Sequence, residues 1–235
     1  ACLTLAGCSQ AENPVESYDF SSVTLVQLEE PKDGAKLAVI DTSLGTITAV
    51  LYPEYAPNTV NNFITLADEG YYDGLPVTAV SNDIYFLAGA KENEDGKYWK
   101  TITGEPIKNE YSPNLWSFKG ALLAYNDNLG FGDSRFFICN EMEISEDEME
   151  YINSNKTESG DEVVPQKIFD AYIEKGGVLG FFAAYTVFGQ TIDGMDVVEK
   201  IVSAKVDEET NKPVEDIIIN KITITEYRSD ETKQN

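Results

Sequence analysis

Residues 71–91 read YYDGLPVTAVSNDIYFLAGAK. The stretch reads as a turn, a strand, a bend and a second strand: Asp73-Gly74 punctuates the turn, Ser81-Asn82-Asp83 makes the bend, and β-branched and aromatic residues fill the runs between.

Upstream, residues 37–41 and 46–52 are β-rich and flank Thr42-Ser43-Leu44-Gly45, a hairpin signal. Pro57 then stands at a first helical position, Val60, Phe63, Ile64 and Ala67 recur at helical spacing, and Gly70 fits the stop. An amphipathic helix laid against a sheet is expected there. Further upstream, residues 23–28 are expected to add a short extra strand, after a polar tether.

Downstream, residues 102–113 read as irregular, and residues 120–125 and 135–139 as strands joined by the Gly-rich loop 126–134. Residues 140–162 are crowded with carboxylates. Pro165 then opens a helix carrying Ile168, Phe169, Tyr172 and Ile173 on one face and ending at Gly176-Gly177. Met195, Val198, Ile201 and Val202 mark another amphipathic helix, and residues 217–227 close the sheet before a polar tail, 229–235.

The totals bound the function. In 235 residues, 42% hydrophobic, there is material for one sizeable core. A formal charge of −24, from 17 basic against 41 acidic residues, argues against nucleic acid and against an anionic membrane surface, both of which need clustered Lys and Arg. Histidine is absent, which removes imidazole acid–base work and the Ser-His and Cys-His dyads. No cofactor and no metal is expected, and no segment after the first residues is long and apolar enough to span a bilayer.

Of the three cysteines, Cys139 lies in an apolar run and reads as a buried, inert thiol. Cys8 closes Leu5-Ala6-Gly7-Cys8, which looks like the lipobox of a bacterial lipoprotein. On that reading residues 1–7 are the remnant of a signal peptide, Cys8 carries the lipid, residues 8–34 are the tether with the extra strand, and the protein sits on the extracytoplasmic side of a bacterial cell envelope.

Three segments carry a family likeness: residues 41–91, in which Gly-Tyr-Tyr-Asp-Gly leads into a strand; residues 120–138, GALLAYNDNLGFGDSRFFI; and residues 178–190, VLGFFAAYTVFGQ. Together they resemble the cyclophilin-type peptidyl-prolyl isomerases. The resemblance implies a closed antiparallel eight-stranded β-barrel capped by two α-helices, over residues 35–228. Residues 140–177, where the family has a short connection, would be an acidic, partly helical insertion. Proline-containing peptides or exported proteins are the partners implied.

In that family the resemblance implies an Arg donor, a helping Gln, an Asn that takes the peptide backbone, and a proline pocket of Phe, Met and Leu with a His at its rim. Carried over, the Arg becomes Ala79, the pocket Phe and Met become Ile84 and Tyr85, and the helping Gln becomes Leu87. Asn126 and Phe137 match. Tyr125 stands where Ala is usual, Arg135 replaces another site Gln, Phe181 or Phe182 falls near the pocket Leu, and Tyr185 takes the His position.

Two readings stay open. One is an isomerase of weak activity, with Arg135 as a candidate substitute donor unless Asp133 or the acidic insertion ties it up. The other is a non-catalytic peptide-binding or protein-binding module, chaperone-like or scaffolding, that keeps an aromatic groove of Tyr85, Tyr125, Phe137 and Tyr185. A third, less specific, makes the acidic flap a trap for cations or a basic partner.

Overall fold

The hairpin legible at residues 42–45 is the first pair of a curled antiparallel sheet. A computed structural model describes residue 20 and residues 22–81, 83–91, 96–128, 130–145, 150, 154, 164–181 and 184–229. Cys2, Cys8, Phe182, most of the acidic stretch and the polar tail after residue 229 lie outside the described residues.

Among the described residues eleven strands follow in chain order: β1 (Lys36–Thr42), β2 (Gly45–Leu51), β3 (Leu75–Pro76), β4 (Ala79–Ser81), β5 (Tyr85–Ala88), β6 (Ile107–Lys108), β7 (Ala121–Ala124), β8 (Phe131–Gly132), β9 (Phe136–Cys139), β10 (Val187–Asp193) and β11 (Ile218–Glu226). Nine form one sheet in the order β3-β11-β1-β2-β10-β7-β9-β5-β4, and β6 pairs with β8 apart from it. The helices whose residues are described throughout are α1 (Pro57–Asp68), α2 (Gln166–Lys175) and α3 (Met195–Val202).

In place of the expected eight closed strands, the described residues form a mainly β fold with a curled nine-stranded sheet and, among the elements they complete, three α-helices. The edges β3 and β4 bond to β11 and β5, not to each other. The chain crosses from one edge to the other over two residues: Val77 N–H donates to Ile217 O and Thr78 N–H to Leu87 O, both at 2.8 Å.

The core lies between one face of this sheet and helices α1 and α3. Phe63 of α1 packs edge-on against Phe136 at 5.4 Å and lies 5.2 and 5.3 Å from the rings of Tyr72 and Phe188. Val198 and Ile201 of α3 are fully buried in the same cluster, beside Ile40 and Ile47 of the first hairpin. Helix α1 begins with Pro57 and ends before Gly70, whose φ of 68° suits the left-handed stop. No side chain of the preceding residue caps it. Glu110 does so from across the fold, accepting from the N–H groups of Asn58 and Thr59 at 3.0 and 2.8 Å.

Residues 23–28 form no strand. Val26–Leu28 is a 3-10 turn that presents the buried Gln27, whose side-chain amide bonds Trp116 N and O at 2.6 and 2.8 Å and Gln190 Oε1 at 2.8 Å. One side chain does here what a backbone ladder would have done.

Helix α2 forms where Pro165 predicts it and buries Ile168, Phe169, Ala171 and Tyr172. Ile173, expected on that face, is 59% exposed. The helix packs on Trp116 and Phe118, with Tyr172 at 4.7 Å from the Phe118 ring and its hydroxyl bonded to Ser117. The close approach needs Gly177, since a Cβ there would collide with the Ser117 carbonyl and the Phe118 backbone.

Candidate functional site

Residues opposite one another in an antiparallel pair share a face of the sheet, and successive residues alternate between faces. Ala79 faces Leu87, Leu87 faces Phe137 and Phe137 faces Leu123, so these four share the face turned away from the core. Val80, Phe86, Ile138 and Leu122, each one residue along, belong to the core. Tyr85, two before Leu87, joins the outer face.

On that face Phe137 is the hub of an aromatic cluster. Its ring centroid lies 5.3 Å from Tyr85, 5.4 Å from Phe181, 4.9 Å from Tyr185 and 6.4 Å from Tyr125. Tyr125 and Tyr185 stack at 6.1 Å and 17°. Phe137 is buried, while the other four rings, with Ile84, Leu87 and Ala79, are half-buried. Ile84 is set by the tight turn before it, in which Asp83 adopts φ 62° and Ile84 N–H reaches back to Ser81 O at 2.7 Å.

Arg135, Asp133 and Asn126 form one buried polar network beside these rings. Asp133 accepts from Arg135 Nη2 at 2.7 Å, Nε at 3.1 Å, Arg135 backbone N–H at 2.8 Å and Asn126 Nδ2 at 2.9 Å. Arg135 Nη1 donates to Asp127 at 2.9 Å, and the guanidinium lies 5.0 Å from the Tyr125 ring centroid. The Arg135 side chain is 8% exposed and that of Asp133 0%.

Burial pushes the Asp133 carboxyl up, against the pull of the guanidinium. Burial also works against the Arg135 charge, but its bonds to Asp133 and Asp127 outweigh it and hold its pKa above the ordinary value. Asn126 spends its amide on Asp133 and its carbonyl oxygen on Asn128 N–H at 2.7 Å. The network fixes the loop after β7, and most of its donors face inward. Burial raises the hydroxyls of Tyr125 and Tyr185 too, with Asp127 adding to the first and Tyr85 to the second, so both remain O–H donors at neutral pH.

The predicted residues Ile84, Tyr85, Leu87, Tyr125, Phe137, Phe181 and Tyr185 therefore share one cluster. Asn126 and Arg135 adjoin it, while Phe182 falls outside the described residues. Sequence reasoning missed Asn109, whose Nδ2 donates to Ala184 O at 2.8 Å and so anchors the turn carrying Tyr185. It lies 75 positions away in a stretch read as irregular, and no local signal points to it. Helix α2 joins the separate cluster around Trp116 and Phe118. Among the described residues no group of three or more Cys, Asp and Glu side chains is placed to hold a metal ion.

Comparison with known proteins finds relatives over most of the chain. The family described as "Cyclophilin type peptidyl-prolyl cis-trans isomerase/CLD" matches residues 37–224. A "Putative peptidyl-prolyl cis-trans isomerase" of Staphylococcus aureus (strain COL) is 36% identical over 198 residues, 84% of this chain and 96% of that protein. A protein of the same description from Staphylococcus epidermidis is 34% identical over the same length. Among solved structures, a cyclophilin-type peptidyl-prolyl cis-trans isomerase of Cryptosporidium parvum superposes with a TM-score of 0.62 at 20% identity, covering 83% of this chain and 99% of that one. A second structure of that protein, determined in the presence of the dipeptide Ala-Pro, gives a TM-score of 0.60 at 20% identity over 80% of this chain and 98% of that one.

Proposed function

Because the chain belongs to the cyclophilin-type peptidyl-prolyl cis-trans isomerase family, we propose that it takes proline-containing peptides on the face of Tyr85, Tyr125, Phe137, Phe181 and Tyr185, with a much reduced rate enhancement. The family supports prolyl isomerisation in general. The reduction rests on one observation: the strand pair that would carry the family's Arg and Gln donors here carries Ala79 opposite Leu87.

The chemistry explains why that matters. An X-Pro bond meets a barrier of roughly 18–20 kcal/mol, and rotation needs no covalent step. A catalyst holds the ring in an apolar pocket, anchors the flanking backbone and offers a donor to the twisted amide, whose nitrogen regains a lone pair. The cluster around Phe137 supplies the pocket, and neither Ala79 nor Leu87 can donate. Losing one such donor costs about 10²–10³ in rate. Arg135 as the substitute donor is disfavoured by its bonds to Asp133 and Asp127.

NMR exchange spectroscopy on an Ala-Pro peptide tests this. The expected result is a rate at least about 10²-fold below that of an Arg-containing cyclophilin, rising about tenfold or more in Ala79→Arg. A wild-type rate within tenfold of the Arg-containing enzyme would overturn it.

The engagement of Arg135 also favours the second reading, a non-catalytic module that docks peptides or partner proteins on the same rings. That reading expects proline-free peptides to bind as tightly as proline-containing ones. The Leu5-Ala6-Gly7-Cys8 box supports, in addition, a lipid anchor at Cys8 and exported proteins as partners. In cells fed an alkyne-tagged fatty acid, the wild type should be labelled in the membrane fraction and Cys8→Ala should not.

A further inference from the structure

Asn109 stands between the two loops that flank the stacked rings of Tyr125 and Tyr185. Its backbone N–H continues the pairing of β6 with β8 and donates to Gly130 O at 2.8 Å, in the loop that follows Tyr125. Its side chain reaches the other loop. Nδ2 donates to Ala184 O at 2.8 Å and to the Tyr111 hydroxyl at 2.9 Å, and Oδ1 accepts from Thr186 Oγ1 at 3.3 Å. Both amide donors are thus spent, one of them on the residue next to Tyr185.

The turn carrying Phe181 and Tyr185 has little else to direct it. The N–H of Phe181 bonds back to Val178 O at 3.0 Å, and those of Ala184 and Tyr185 to Phe181 O at 3.1 Å, all within the turn. Among the described residues the bond from Asn109 is the one hydrogen bond that joins residues 179–185 to the rest of the fold. The Phe181 and Tyr185 rings also lie on Phe137, at 5.4 and 4.9 Å, but apolar contact is non-directional, whereas a hydrogen bond prefers one distance and one line.

Taking this face as the peptide site, we infer that Asn109 is a positioning residue for peptide capture: by tying Ala184 to the loop at Gly130 it holds the Tyr185 ring against Tyr125, at 6.1 Å and 17°, before a peptide arrives. A turn without that tie must be ordered by the peptide at the moment of binding, which lowers affinity with no ring removed.

Asn109→Asp in the full chain tests this. The carboxylate keeps the shape and still accepts from Thr186, but it sets an acceptor against the Ala184 carbonyl, and the tie is lost. The Tyr185 ring resonances and their cross-peaks to Tyr125 should change in the free protein, and affinity for an Ala-Pro peptide, from NMR titration, should fall about fivefold. Glu110→Gln, one residue along, separates positioning from general stability. It weakens the cap on α1 and should lower the melting temperature, while Tyr185 resonances and peptide affinity stay at wild-type values. Unchanged affinity or unshifted Tyr185 resonances in Asn109→Asp, or equal weakening in Glu110→Gln, would overturn the role of Asn109 and leave the peptide site standing. A wild type that binds neither proline-containing nor proline-free peptides would overturn both.

Discussion

Phe136 and Phe137 are neighbours on β9, and the pleat sends them to opposite faces of one sheet. They are 1% and 2% exposed, so burial does not tell them apart. Their neighbours do. Phe136 meets Phe63 and Tyr72, both buried. Phe137 meets Tyr85, Tyr125, Phe181 and Tyr185, all half-buried and three of them carrying hydroxyls. A ring closed in by buried rings serves packing, and a ring roofed by half-exposed ones can receive a guest. The core face keeps what the fold needs, while the outer face presents half-buried rings.

The sharpest way to break that contrast is to truncate each ring. Phe136→Ala should cost about 4 kcal/mol of stability in denaturant unfolding, the range for a core Phe. Phe137→Ala should cost less stability and abolish peptide-induced shifts at Tyr85 and Tyr185. Equal losses of stability with binding retained would erase the distinction.

Next in size is the polar network between the faces. Asp133→Asn leaves the Arg135 guanidinium buried with only Asp127, a carboxylate 73% exposed, and should cost about 3 kcal/mol. A loss below about 1 kcal/mol would mean that Asp127 alone compensates the charge.

The smallest effect concerns Cys139, fully buried at the end of β9, where burial pushes the thiol up to about 12 from an ordinary 9.0. The folded state holds the neutral form, so this stabilisation is complete below pH 9 and falls as pH rises toward 12. The wild type should lose about 1.4 kcal/mol more than Cys139→Ala between pH 8 and pH 10. Parallel losses in the two proteins would show that the thiol is not held back by the fold.

Much of the fold was legible because its period repeats. Pro57, the apolar spacing to Ala67 and Gly70 define α1 without outside help, and the hairpin at residues 42–45 sets the register of β1 with β2. The two-residue strands β3, β6 and β8 are too short to show alternation, and tertiary pairing alone creates them. Residues 23–28 carry a strand's composition but turn, because the Gln27 amide finds Trp116 some 89 positions on. The site was legible only by likeness. By composition and period Ala79 and Leu87 are ordinary strand residues, marked before the strands are paired by the family likeness alone, and the anchoring by Asn109 and the capping by Glu110 depend on distant partners. Asp133 could be named as a tether for Arg135 because it lies two residues away, whereas Asp127 could not.

The crossing at Val77 and Thr78 bears on how this protein meets other chains. An open sheet invites a further strand along its unpaired rim, the route by which β proteins polymerise. Here the two rims are strands of two and three residues joined by a two-residue span, and that span is bonded in both directions. There is little rim for an incoming strand to extend. The short, bonded rims thus protect the sheet from self-addition.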